Sequence, residues 1–164
     1  MTPSPTDLAP GRDARGSARR ERLLRAEVAA LRRREQRRIF PARLCLGPGP
    51  EQGPGHALAW PPRDPPDVGL VFDLVDSLLD AGGEPGEAGT GSGGDSRLWL
   101  VRPGHPEVHD LDLRVASVAL RVAAARGPAY GAVCGPMVVL TRYGWLDPLT
   151  GESRRWKRLR LQDR

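Results

Sequence analysis

Four side chains in the second half of the chain, Arg102, His105, His109 and Arg142, are of types that bind or polarise a small ligand. Two guanidiniums can clamp a phosphate or carboxylate through paired N–H donors, and an imidazole can carry a proton near neutral pH. The apolar run Leu98-Trp99-Leu100-Val101 leads into Arg102, His105, His109 and Asp110, and Met137-Val138-Val139-Leu140 leads into Thr141, Arg142, Tyr143 and Trp145. In open parallel sheets ligands sit outside the carboxyl ends of the strands. If the two runs are adjacent strands, these groups converge on one polar rim, and Arg102 with Arg142 is its best anion clamp.

Metal and covalent chemistry fit the same residues less well. His105 and His109 lie near Asp110 and Asp112, but Pro106 keeps the pair off a helix face, and both aspartates suit the start of a helix. No metal site is assigned. Neither histidine has an identifiable nucleophile to serve, and Cys134 has no evident activating neighbour. The glycine-rich run 89–94 precedes a strand and lacks the Gly-Lys-Ser/Thr ending of a phosphate-cradling loop. No catalytic residue and no cofactor is therefore assigned, and the chain reads more readily as a non-enzyme.

A second set of residues points to a polyanion. Residues 17–38 hold nine Arg against three Glu, and residues 154–164 hold five Arg and Lys157 against Asp163. Between them, residues 39–153 carry eight Arg against fourteen acids. The charge of +5 is thus concentrated in basic arms around an acidic middle. Arg32, Arg33, Arg34, Arg37 and Arg38 in the first arm, and Arg154, Arg155, Trp156, Lys157, Arg158 and Arg160 in the second, are the expected contacts. Cations interleaved with an aromatic suit a nucleic-acid backbone; they equally suit an acidic protein surface or a charged edge strand. Since only one of the 25 basic residues is Lys, an arginine-biased composition competes as the origin of the charge.

These residues need elements to hold them. Residues 1–16 read as a disordered tail rich in Pro and Gly. Residues 17–38 read as a basic helix with Leu23, Leu24, Val28 and Leu31 near one face, stopped by Pro41. A Pro/Gly-rich connector at 39–66 contains a possible short strand at 42–46 and a loop at 47–66, whose Trp60 is expected to pack on the parent domain. Asp67 opens a helix with Val68, Val71, Phe72, Val75, Leu78 and Leu79 on its apolar side and acids behind. A flexible Gly-rich insertion follows at 82–96.

The most strongly patterned stretch is 97–142, a strand, a helix over 111–125 capped by Asp110, and a second strand. A connection of that length implies parallel strands with a right-handed crossover. Asp147-Pro148 followed by Gly151 is turn chemistry, and 153–161 is expected as a hairpin strand returning beside 137–142, with a helix the alternative. The fold class is therefore α/β: one small domain at 67–164 around a strand–helix–strand unit with a C-terminal hairpin, flanked by the basic helix and flexible Gly/Pro-rich segments.

Cys45 and Cys134, with no secretory leader, imply a reduced, cytoplasmic protein, and no apolar run approaches the roughly 18–20 residues of a bilayer span. The expected function is a non-catalytic accessory or regulatory protein binding a macromolecule, with nucleic acid favoured slightly. A protein-interaction or self-assembly module is the alternative, and an enzyme at the strand-end rim is the third reading.

Overall fold

A computed structural model describes residues 11–51, 55–60, 66–82, 96–135 and 137–157. In chain order the described elements are α1 (Gly11–Arg34), β1 (Ala42–Gly47), β2 (His56–Trp60), α2 (Val68–Gly82), β3 (Arg97–Val101), α3 (Asp110–Arg126), α4 (Pro128–Cys134), β4 (Val138–Thr141), β5 (Gly144–Leu146) and β6 (Ser153–Arg155). The strands form one sheet in the order β2-β1-β3-β4-β5-β6.

The apolar runs explain the layering. Every residue of β3 and β4 is buried, and successive strand side chains point to opposite faces, so both faces of the sheet must be covered. Leu98, Leu100 and Val139 join Leu44, Leu46 and Leu146 in a core under α2, α3 and α4. Trp99, Val101, Val138 and Leu140 join Cys45 and Trp145 in a second core under α1. Leu24, Val28 and Leu31 are fully buried there. The basic helix is thus the cover of one sheet face.

The strand–helix–strand unit is present: β3 and β4 are adjacent and parallel, with Trp99 opposite Val138 and Val101 opposite Leu140. The crossover carries the short α4 after α3, which the Gly127-Pro128 break had concealed; Pro128 is tolerated because it stands in the first turn. Asp67 caps α2 as expected, its Oδ1 accepting from the Leu70 N–H at 2.8 Å.

Several boundaries differ from the expectation. α1 starts at Gly11 and stops at Arg34, so 11–16 is helical and Gln36, Arg37 and Arg38 lie in the loop that turns into β1. The 47–66 loop contains β2, paired antiparallel with β1 so that Trp60 faces Ala42. Its alternation is weak, and its flanking prolines mask the strand; Trp60 is nevertheless buried in the first core. On α2, Val68 and Phe72 are exposed, because only the centre of the wide stripe (Val71, Val75, Leu78, Leu79) reaches the sheet.

At the C-terminal hairpin, β5 pairs with β4, and β6 pairs with β5. The strand beside β4 is therefore 144–146, not 153–161 as expected; 153–155 forms the next strand out. The intervening turn keeps its chemistry, since Asp147 Oδ1 accepts from the N–H groups of Leu149 and Thr150, and Gly151 takes φ +76°. Residues 1–10, the prolines at 61, 62 and 65, the insertion at 83–95, and Arg158 and Arg160 lie outside the described residues.

Candidate nucleic-acid interface

Residues after the two parallel strands do meet, but their roles separate. Arg102 is 3% exposed and Asp112 is 0% exposed. Arg102 Nε and Nη2 each donate to an Asp112 carboxylate oxygen at 2.7 Å. Its Nη1 donates to the carbonyls of Pro103 and His105, and Nη2 donates also to that of Glu107. All five N–H donors of the guanidinium are thereby used inside the fold. As a ligand clamp Arg102 is ruled out by this saturation: it is the spool around which the β3–α3 loop is wound.

Asp112 completes the same knot. Its Oδ2 accepts from the His109 N–H at 2.9 Å, and His109, with extended φ −115° and ψ 157°, is the N-cap of α3. The cap is one residue earlier than the expected Asp110. Asp112 reaches back to the backbone as the third helical residue does in a capping box. His109 itself is exposed and does not join the other rim residues. Among the described residues no group of three metal-ligating side chains occurs.

Arg142 differs in every respect. It is half-buried, and its Nη1 donates to the carbonyls of Gln36 and Arg37 at 3.2 and 3.0 Å. Its Nε is buried and meets no acceptor among the described residues. Tyr143, next in the turn, stacks on His105 with ring centroids 4.5 Å apart and planes tilted by 33°. The rim therefore contracts to His105, Arg142 and Tyr143. Trp145, expected beside them, is buried in β5 against α1.

This contracted rim lies against the end of the basic helix. Arg32 Nε donates to the Arg142 carbonyl, and Arg32 Nη2 donates to the Trp156 carbonyl at 2.6 Å. The Trp156 N–H donates in turn to the Tyr143 carbonyl at 2.9 Å. Burial, followed by the adjacent Arg142 charge, pulls the Arg32 guanidinium below its ordinary value. Two like charges are thus held side by side, which the fold tolerates because backbone carbonyls take up their N–H groups. Segments 110 and 124 residues apart along the chain are thereby joined at one corner of the fold.

The other cations sort by partner. Arg34 pairs with Glu51 at 3.4 Å, and Arg154 pairs with Glu21 at 2.6 Å while lying over the Trp156 ring at 5.9 Å. Arg33, Arg37, Arg38, Arg155 and Lys157 are exposed, and none of them has an ion pair among the described residues. Trp156 is half-buried, its inner part packed on the α1-side core. The acidic back of α2 is partly neutralised, since Arg126 bridges Asp76 at 2.6 Å and Asp80 at 2.7 Å; these two carboxylates hold the Arg126 charge more firmly than usual.

Sequence reasoning missed the Arg102–Asp112 pair, although a charged residue directly after a fully apolar strand and an acid in the next helix's first turn were its signal. It also missed the buried acids beneath α1. Glu27 accepts from the Glu51 N–H at 2.8 Å, and Glu51 pairs with Arg43 on β1. A Cβ on Gly49 would collide with the Glu27 carboxylate, so a larger residue there would have to displace the buried Glu27 side chain. Both thiols are protected: burial pushes Cys45 and Cys134 up to about 11, which leaves neither as a thiolate nucleophile near neutral pH. Among the described residues no helix is long and apolar enough to cross a membrane.

No family model matches the chain, and no curated protein or solved structure matches it either. The class so defined is a single mixed α/β domain whose sheet is covered by helices.

Proposed function

We propose that this protein binds nucleic acid, without catalysis, through the surface where the end of α1, the β4–β5 turn and the end of β6 meet. One observation carries the reading. Arg32 and Arg142 lock those three segments together through backbone carbonyls. The exposed side chains of Arg33, Arg37, Arg38, Arg155 and Lys157 then project from a framework that is already ordered. A charge array of this kind loses little conformational entropy on meeting a row of phosphates.

The self-assembly alternative is weakened by Arg126, which already occupies Asp76 and Asp80 on the acidic helix. An acidic partner protein remains the competing reading, and the same experiment separates it. Labelled 20-nucleotide strands and their duplexes are titrated with protein from about 50 to 200 mM salt. Neutralising about five phosphates gives a slope of log K against log salt near −3.5 for a single strand and near −4.5 for a duplex. Absence of binding to either form at about 50 mM salt sinks the proposal. Full displacement by an equal charge of polyglutamate favours the acidic-protein reading instead.

A further inference from the structure

The cations of this surface serve any polyanion, but two aromatic rings stand among them. Tyr143 is half-buried in the β4–β5 turn, backed by His105 at 4.5 Å. Trp156 is half-buried at the end of β6, with the Arg154 guanidinium over its ring at 5.9 Å. Their backbones are neighbours, joined by the 2.9 Å bond from the Trp156 N–H to the Tyr143 carbonyl. Arg32 binds the Trp156 carbonyl at 2.6 Å and so fixes that end of the pair to α1.

From this placement we infer that the ligand of the basic surface is single-stranded nucleic acid, with a base stacked on Tyr143 while the surrounding arginines follow the backbone. The inference rests on the nucleic-acid reading above and goes beyond it. A duplex keeps its base faces stacked inside, so half-exposed rings offer it nothing, whereas an unpaired strand presents a π-face at every base. Among the described residues, no helix at this place is free to enter a major groove. The apolar face of α1 is spent on the sheet, and its last turn is tied to the hairpin by Arg32. His105 stacks on one face of Tyr143, so the ring is held in place before any base arrives.

The test measures fluorescence anisotropy of labelled dT20, U20 and a mixed 20-base-pair duplex at one salt concentration, with wild type, Tyr143→Ala and Tyr143→Phe. The expected result is binding of at least one single strand about tenfold tighter than the duplex. Tyr143→Ala should weaken that single-strand binding about tenfold and leave duplex binding unchanged, while Tyr143→Phe should keep it. Comparison of dT20 with U20 assigns the strand to DNA or RNA. Thermal unfolding of each variant is run alongside; if Tyr143→Ala does not fold, Tyr143→Leu, which keeps apolar bulk without a stacking ring, takes its place. Equal affinity for duplex and single strand, or full single-strand affinity in the ring-less variant, overturns the stacking inference and leaves the basic surface standing. Failure to bind any of the three polymers removes both.

Discussion

Arg102 and Arg142 each follow a buried strand of the same parallel pair, yet the structure uses them in opposite ways. Arg102 is sealed, its five donors matched by Asp112 and three carbonyls. Arg142 is half-open, holds two carbonyls through one nitrogen, and stands beside a second guanidinium that repels it. The difference lies in the segment each must anchor. The β3–α3 loop has an acid, Asp112, that arrives with the next helix; the β4–β5 turn is too short to bring one. A strand-end arginine therefore becomes structural when the following loop can saturate it, and stays available when the loop cannot.

Removing Arg102 tests the sealed side and should give the largest effect. Arg102→Ala leaves the Asp112 carboxylate buried without its partner, at a cost of about 3–5 kcal/mol, read from the urea midpoint. A loss below about 1 kcal/mol would break the comparison. On the open side, Arg32→Ala removes two of the bonds that tie α1 to the hairpin and should cost about 2 kcal/mol. The thiols report which layer loosens, because Cys45 lies in the α1-side core and Cys134 in the opposite one. Arg32→Ala should speed labelling of Cys45 and spare Cys134; equal acceleration of both would mean that the layers open together.

The same thiols set a pH window. Each has an ordinary value of 9.0 that burial raises to about 11 in the folded chain. The unfolded chain therefore gives up these protons first. Their contribution is fully present below about pH 9 and is lost as pH rises toward 11. Urea midpoints for wild type and a Cys45→Ala, Cys134→Ala double variant should converge across that interval if the thiols are as buried as the fold implies.

Arg142→Ala should cost only about 1 kcal/mol, since its two hydrogen bonds run to exposed carbonyls. A loss as large as that for Arg102→Ala would show that the open side is structural after all. The smallest stability change is expected for Arg37→Glu with Arg38→Glu, within about 0.5 kcal/mol of wild type. Yet that pair should flatten the salt slope of nucleic-acid binding by about 1.5 for a single strand. Unchanged affinity in the double variant would remove these side chains from the interface.

Much of this molecule was legible before folding because periodicity records which residues share a face. The runs 98–101 and 137–140, the Val115-Val118-Val122 stripe and the Leu24-Val28-Leu31 stripe all became buried surface. Asp67 and the Asp147–Gly151 turn act within a few residues of themselves, so their hydrogen bonds needed no distant partner. Less legible were β2 and β5. Each is a short segment among Pro and Gly residues, and a three-residue strand such as Gly144–Leu146 has too few residues to show alternation.

What the chain by itself determined was a set of faces: an apolar parallel strand pair, an amphipathic crossover helix, and a basic helix with an apolar stripe. Which charge would be hidden and which displayed was decided only in three dimensions. Arg102 and Arg142 look alike in sequence, and nothing local to Arg32 foretells a carbonyl more than a hundred residues away. Burial and donor saturation belong to the partners that the sheet order brings together, and pattern along one segment carries no record of them.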